Sequence, residues 1–340
     1  MAEPTSRKTP FDQRPPHEWP PWYAPLARFK TPRLRNSLWQ LANTLLPYFA
    51  IWILMIRTLQ LGYPYAVTLA LAVPGAAFLV RIFILFHDCV HDCLFERPGA
   101  NMLAGYCLGL FTFTPYEDWK FGHLRHHASY ANLDMRGFGD IWTMTLQEYR
   151  VSSRVKKTAY RLFRSPWVLL GLGALFMFLL RFRLPIRTSK RRERVSVLLT
   201  NLLILIVVLV AARTIGLRAY VLIQLPLLWL AGAAGIWLFY VQHQFEGVYW
   251  ARRQDWDPLR AALEGSSFYK LPAVLSWFSG NIGYHYIHHL NSRIPNYNLK
   301  ACYDAVPELQ SKPPLTFRKS LSGIRLKVWD EERKELTGIS

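Results

Sequence analysis

The sequence predicts an all-α integral membrane protein, in which two transmembrane helical hairpins lie beneath a histidine-rich helical cap on the cytoplasmic side. Three observations support this fold class. The chain has 340 residues, 51% of them hydrophobic, and a mean hydropathy of +0.08. Its apolar residues are gathered into long runs, and eight of its ten histidines fall into three short clusters between or after these runs.

Four apolar runs are about 18 to 25 residues long, which is enough for a helix to cross the bilayer core. They cover residues 38–61, 65–86, 195–212 and 216–241. Two shorter runs, 102–114 and 166–180, are too short to cross comfortably and are expected to be interfacial or re-entrant segments. We therefore expect a basic tail over 1–36, a membrane domain over 37–305 and a C-terminal tail over 306–340.

The net charge of +19 is concentrated beside the apolar runs. Basic residues cluster before residue 38, between 181 and 194, and after 313. Cytoplasmic flanks of membrane helices carry such an excess of Lys and Arg, and they attract anionic lipid or acidic proteins. This distribution favours membrane orientation over nucleic-acid binding. Residues 1–36 contain no apolar stretch of the signal-peptide type.

Orientation follows from the same rule. The basic tail places the N-terminus in the cytoplasm, and the first hairpin returns the chain there near His87. If 166–180 crossed the membrane, the basic run 181–194 would lie outside, against the positive-inside rule. We therefore expect 166–180 to stay at the interface, so that all three histidine clusters face the cytoplasm.

The three clusters have metal-ligand spacing. HLRHH and HYIHH place imidazoles at i, i+3 and i+4, and HDCVH places them at i and i+4, on one face of a helix, so that one metal could be bound by such a cluster. Their members are His87 and His91; His123, His126 and His127; and His285, His288 and His289. Imidazole binds iron, zinc and copper, which leaves the metal open. Eight or nine histidines exceed the needs of one ion, so we expect two.

Two other classes fit less well. A two-zinc hydrolase usually mixes carboxylates among its ligands, but Asp88 and Asp92 are adjacent in sequence to box histidines and so lie off their helical face. A metal transporter would place its histidines inside the spans, whereas these lie at the span ends. The four cysteines suggest no disulfide framework, and Cys89 and Cys93 should point away from the histidines.

The context of the clusters resembles the membrane fatty acid desaturase family, especially its bacterial and plastid acyl-lipid branch. The similar segments are HHASYANLDMRGFGDIWTMTLQEY, VQHQFEGVYW and GNIGYHYIHHLNSRIPNYNL, within residues 38–302. The resemblance implies a non-haem di-iron centre bound by the eight histidines and His243. It also implies an O2-dependent reaction that introduces a double bond into the acyl chain of a membrane lipid, with electrons from outside.

Some positions depart from this pattern or allow two interpretations. Structurally known relatives place an asparagine four residues before the ninth histidine, where this chain has Phe239; Gln242 or Asn281 could replace it. Asp134, Arg136 and Asp140 could orient ligand imidazoles or form surface ion pairs. Five aromatic residues could line an acyl tunnel or belong to the interfacial aromatic belt, namely Tyr116, Trp119, Trp142, Tyr249 and Trp250.

No haem-binding HPGG motif occurs in the sequence, so a separate electron donor is expected. The basic surface favours an acidic ferredoxin. The same di-iron centre could instead hydroxylate or ketolate an alkane or carotenoid, but the NLDMRGFGDIW and PNYNL contexts favour desaturation.

Overall fold

The computed structural model describes residues 19–339 and is mostly helical. Four of its helices are long and apolar enough to cross a membrane. They are α1 (Leu34–Gln60), α2 (Tyr65–Val90), α8 (Arg191–Thr214) and α9 (Leu217–His243). Each contains most of one predicted apolar run, so the predicted helical fold with four candidate membrane spans is confirmed. The cytoplasmic position of the cap stays a prediction. Residues 1–18, which include His17, lie outside the described part of the chain.

The remaining elements form the cap and the membrane-adjacent segments. A 3-10 helix (Pro21–Phe29) precedes α1. The shorter helices are α3 (Pro98–Phe111), α4 (Tyr116–Ser129), α5 (Leu146–Val151), α6 (Arg154–Phe163), α7 (Trp167–Arg183), α10 (Pro258–Leu263), α11 (Ala273–Phe278), α12 (His285–Leu290), α13 (Asn296–Ala305), α14 (Pro307–Gln310) and α15 (Phe317–Ser322). Three short strands form one sheet in the order β1 (Met144–Thr145), β2 (Val328–Asp330), β3 (Glu335–Thr337), with β1 parallel and β3 antiparallel to β2.

The long helices form two hairpins. The turn between α1 and α2 contains Gly62 at φ +70°, and the turn between α8 and α9 contains Gly216 at φ +85°; both angles suit glycine. Buried apolar side chains of α1, α2 and α9, such as Met55, Leu79 and Leu227, form one cluster. Leucines on the outer face of α8 are exposed, as expected for a surface that contacts lipid.

The two shorter apolar runs are helical. Residues 102–114 fall largely on α3, and 166–180 fall on α7, which is bent by 64° from α6 and alternates between α and π turns. α7 packs on α9, where Ala174 and Phe178 approach Gly232 so closely that a β-carbon would crowd them. Its outer side chains, including Trp167 and Leu180, are exposed. The interfacial placement of both runs stays a prediction.

Buried carboxylates fix the basic segment 181–194 to the cap. The Asp118 carboxylate accepts hydrogen bonds from the Ile186 amide at 3.1 Å and from the Ser189 hydroxyl. Its neighbour Glu117 pairs with Arg192 at 2.5 Å. Both acidic residues lie in the first turn of α4, where the helix dipole favours negative charge. The start of α4 and the start of α8 are therefore held together.

The C-terminal segment also packs into the cap. The buried Arg164 guanidinium donates to the Leu326 carbonyl at 2.7 Å and to Gln244 Oε1 at 2.8 Å. The Tyr160 hydroxyl donates to the Lys327 carbonyl. Residues 323–337 thus close over α6 and the C-terminal end of α9.

Replacing Asp118 with Ala should destabilise the protein by about 1–3 kcal/mol, because the Ile186 amide and the Ser189 hydroxyl lose a buried acceptor. The matched control is Asp92→Ala, which removes a partly exposed ion pair with Lys120 worth about 0–1 kcal/mol. Thermal unfolding in detergent measures both. Equal losses in the two variants would contradict this role of Asp118.

Candidate metal centre

Nine histidines from four segments meet at one end of the helix bundle. His87 lies in the last turn of α2, and His91 is the residue that ends this helix. Three histidines project from α4, three from α12, and His243 is the last residue of α9. The helices themselves are separated widely in sequence, so only tertiary packing brings these side chains together.

All nine side chains are buried, since none is more than 9% exposed. Burial, reinforced by the neighbouring imidazoles, lowers the pKa of the cap histidines well below the usual value. This holds for His91, His123, His127, His285, His288 and His289. A neutral imidazole presents a lone pair, which is the form that binds a metal.

The histidines form two adjacent groups. The five-histidine group contains His87, His91, His123, His127 and His288, and its candidate ligand atoms all lie within 4.8 Å of one another. The second group contains His126, His243 and His289. His285 joins it, because its Nε2 lies 3.0 Å from His243 Nε2 and 3.1 Å from His289 Nε2. We call this the four-histidine group. The rings of His127 and His289 stack at 4.2 Å between the groups.

Each HxxHH box is divided between the groups. In α4, the i, i+4 pair His123 and His127 belongs to the five-histidine group, and His126 belongs to the other. In α12, the i, i+4 pair His285 and His289 belongs to the four-histidine group, and His288 crosses to the other. The expectation that one box could bind one metal is therefore wrong. Viewed along the helix axis, the residue at i+4 is rotated by about 40° from residue i, whereas the residue at i+3 is rotated by about 60° in the opposite direction.

The Nε2 atoms are spaced as ligands of a common ion would be. Six Nε2–Nε2 contacts between histidines of the same group measure 3.0–3.2 Å. At a metal–nitrogen distance of about 2.1 Å, two ligands are about 3.0 Å apart at a right angle and about 3.4 Å apart at the tetrahedral angle. All six contacts are shorter than the tetrahedral value. The donor set fits two metal ions.

One carboxylate orients a histidine of the centre. Asp140 Oδ1 lies 2.7 Å from His126 Nδ1, and both side chains are buried. Such a partner fixes the tautomer and leaves Nε2 free for a metal. The other two candidates do not reach the centre: Asp134 pairs with Arg252 at 2.6 Å, and Arg136 pairs with Glu148 at 2.6 Å. For these two, the surface ion pair is the correct interpretation.

Phe239 faces the four-histidine group. Its ring centroid lies 5.4 Å from that of His126 and 5.1 Å from that of His243. Neither proposed substitute offers an amide there, because Gln242 donates to the Ile282 carbonyl and Asn281 donates to the Asn296 carbonyl. An apolar ring therefore stands at this position in place of a polar side chain.

Among the five aromatic candidates, Trp119 contacts the ligands directly. Its ring stacks on His123 at 4.3 Å and lies edge-on to Phe83 and Phe86 at 5.3 Å. The other four make different contacts. The hydroxyl groups of Tyr116 and Tyr249 donate hydrogen bonds to the Cys89 and Asp255 carbonyls, respectively. Trp142 packs on Tyr160 and Phe163, and Trp250 packs on Tyr130.

The sequence reasoning missed Tyr130, although its ring lies 4.1 Å from His243, 5.1 Å from His126 and 5.2 Å from His289. Its position four residues after His126 was the available signal. Its buried hydroxyl donates to the Gly265 carbonyl, so it supports the four-histidine group and is tied to the loop between α10 and α11.

Fold and site together define a helical protein with four candidate membrane spans and a buried cluster of histidines that could hold metal ions. Comparison with known proteins assigns the family: the model for "Fatty acid desaturase" matches residues 61–320. The chain belongs to the fatty acid desaturase family, as the resemblance of its histidine boxes predicted.

Individual relatives agree with this assignment. A fatty acid desaturase of Bacillus subtilis (strain 168) is 42% identical over 92% of this chain and 89% of its own length. An sn-1 oleoyl-lipid 12-desaturase of Synechocystis is 23% identical over 68% of this chain and 65% of its own length. An sn-1 acyl-lipid omega-3 desaturase (ferredoxin) of Nostoc is 23% identical over 73% of this chain and 69% of its own length.

Asp140→Asn should weaken metal binding about 10- to 100-fold, because His126 loses the carboxylate that orients it. Metal content per chain, measured after dialysis against graded chelator, tests this expectation. Asp134→Asn is the matched control, since it makes the same chemical change in a pair with Arg252 away from the histidines. Equal metal retention in Asp140→Asn and wild type would exclude the orienting role.

Proposed function

We propose that this protein is an O2-dependent di-iron desaturase that introduces a double bond into the acyl chain of a membrane lipid. The nine histidines would hold two irons, which would supply the O2 chemistry. In the overall reaction two hydrogens leave adjacent methylenes of the chain, and two electrons from an external donor with two protons complete the reduction of O2 to two waters. The observation that carries the proposal is the set of 3.0–3.2 Å contacts between buried Nε2 atoms in two adjacent groups.

The donor set supports iron over zinc. Structural zinc sites are four-coordinate and tetrahedral, and catalytic zinc usually has three protein ligands. The five-histidine group exceeds both numbers, and its nitrogens lie closer together than tetrahedral ligands. Among the groups of metal ligands within the described residues, neither contains a carboxylate, which also disfavours a hydrolase with mixed ligands.

The surroundings of the centre suit an apolar substrate. Trp119 stacks on His123 of the five-histidine group, and Phe83 and Phe86 pack on Trp119. Both phenylalanines belong to α2, which is long and apolar enough to span the membrane. Phe239 extends this apolar lining to the four-histidine group. An acyl chain could thus reach the histidines from the membrane without crossing water. Asp140 has a different role, since it fixes His126 from the opposite, polar side.

The acyl-lipid substrate is supported by the named relatives, two of which act on lipid-bound acyl chains according to their names. Hydroxylation or ketolation of an alkane or carotenoid is the competing reaction at the same centre. The family assignment and the NLDMRGFGDIW and PNYNL contexts favour desaturation. A metal transporter is disfavoured, because the histidines lie at the helix ends and are buried among one another.

Wild-type protein should contain two irons per chain, and cells that express it should gain an unsaturated fatty acid in an O2-dependent manner. His126→Ala and His288→Ala should each abolish the new product and lower the iron content, because each removes a ligand from a different group. His17→Ala changes the one histidine outside the proposed set and is the matched control. Elemental analysis and gas chromatography of membrane fatty acids measure the two effects.

An oxygenated product without a new double bond would point to the hydroxylase instead. Full activity in His126→Ala or His288→Ala would remove that histidine from the ligand set.

The electron donor is proposed to be a small acidic protein, such as the ferredoxin indicated in the name of the Nostoc relative. It would dock on exposed basic residues of the segment 187–194, which Asp118 holds against α4. Arg125, one residue before His126, reaches this segment through a 3.4 Å hydrogen bond to Thr188. The docking surface therefore lies beside the four-histidine group. By the positive-inside rule, this face is cytoplasmic.

Charge reversal at Arg187 and Arg191 should raise the KM for an acidic ferredoxin and weaken its salt dependence, while kcat at saturating donor changes little. Electrostatic steering acts on encounter and is screened by salt, which explains the direction. Steady-state turnover with purified ferredoxin, at two ionic strengths, measures this change. The matched control is Lys156→Glu, a charge reversal at an exposed lysine of α6.

Orientation is checked independently with Arg191→Cys in a Cys107→Ser background, because Cys107 is the exposed native cysteine. A membrane-impermeant maleimide should label it in inside-out vesicles. Labelling of right-side-out vesicles alone would overturn the cytoplasmic placement of the centre.

A further inference from the structure

A polar cavity of about 280 Å³ lies beside the segment that carries the third histidine box. Its lining includes Tyr284, the residue immediately before His285, and Ser276 of α11. Lys270, Lys300 and Lys312 also line it, with Asp304 as the only carboxylate among its lining residues. The cavity is therefore cationic, and it is distinct from the buried histidine groups.

The three lysines are not neutralised equally. Lys300 pairs with Asp304 at 2.5 Å. Lys312 donates to the Leu263 carbonyl, and its ammonium lies 5.6 Å from the ring centroids of Tyr286 and Phe245. Burial lowers the pKa of Lys312 to about 8, and an anion beside its ammonium group would favour the charged form. Lys270 is exposed at the cavity rim. An anion in the cavity would be attracted by the ammonium groups of all three lysines.

The cavity adjoins an apolar surface of the kind that contacts lipid. α11 exposes Val274 and Leu275, which are 66% and 51% exposed. On its other side, α11 packs on the candidate span α2, where Phe278 and Trp277 lie 5.1 Å and 6.0 Å from Phe78. Ser276 belongs both to α11 and to the cavity wall. The cationic cavity and the lipid-facing helix are therefore continuous.

We propose that this cavity binds the anionic phosphodiester headgroup of the lipid whose acyl chain enters the metal centre. A cationic recess beside exposed apolar side chains matches a molecule with a negative phosphate attached to a hydrocarbon chain. Tyr284 connects the cavity to His285 through one peptide bond, so a lipid bound here has its headgroup beside the four-histidine group. The proposal rests on the desaturase function and names the lipid class that it favours.

The test measures lipid retention on the full-length protein in detergent, by native mass spectrometry. The probes are phosphatidylglycerol, which is anionic, and phosphatidylcholine with the same acyl chains, which is zwitterionic. Wild type should prefer phosphatidylglycerol. Lys270→Gln and Lys312→Gln should each lower this preference about fivefold, since one lysine near a lipid surface contributes a factor of this order. Lys156→Gln removes one positive charge on α6 and should leave the preference unchanged.

Equal retention of the two lipids by wild type would overturn the proposal, and so would an unchanged preference in both cavity variants. Displacement of phosphatidylglycerol by millimolar inorganic phosphate would overturn it as well, because the cavity would then be a site for free anions. Lys270 is exposed, so its replacement tests the proposal even if Lys312→Gln fails to fold. Product analysis distinguishes failure of the headgroup site from failure of the desaturase function. If a double bond is formed but the protein shows no lipid preference, the headgroup site is excluded and the desaturase function still stands.

Discussion

The mutual approach of imidazole nitrogens is the interaction on which the rest of the structure depends. Nine histidines are buried together, and their Nε2 atoms approach one another at 3.0–3.2 Å in six pairs. Two imidazole lone pairs that face each other do not stabilise the structure, whereas a metal ion between them would accept a coordinate bond from each. Because these side chains come from α2, α4, α9 and α12, binding of metal and packing of the cap are linked.

Polar contacts around the centre explain much of the sequence context of the histidine boxes. The Asp88 carboxylate, next to His87, accepts two hydrogen bonds from Asn296. One comes from the backbone N–H at 2.9 Å and the other from the side-chain Nδ2 at 2.8 Å. The Asn296 side chain also exchanges two hydrogen bonds with Gln40 of α1. This buried network joins α1, the end of α2 and the start of α13. The PNYNL segment therefore holds the chain that follows the third box against the helix that carries the first.

Local sequence pattern was sufficient to predict the four long helices and the eight box histidines of the ligand set proposed here. The ninth, His243, was predicted only from the resemblance to the family. Long apolar runs predict spans through length alone, and histidines at i, i+3 and i+4 predict clustered imidazoles. The division of the boxes was not predictable, since it depends on how α4 and α12 cross. His126 and His288 each point toward the group that is centred on the other helix, and no spacing within one helix contains that information.

The same limit applies to the residues that orient the ligands. Asp134, Arg136 and Asp140 are close in sequence and chemically equal candidates, but Asp140 alone among them reaches a histidine of the centre. The reason is the path of the loop after α4, where Gly137 and Gly139 adopt positive φ angles. Gly139 packs against the β-carbon of His126 at a distance that leaves little room for a side chain. The loop thereby folds back over α4 and delivers the next residue, Asp140, to His126 Nδ1. Glycine at 139 is thus a condition for the carboxylate contact and for the polar side of the metal centre.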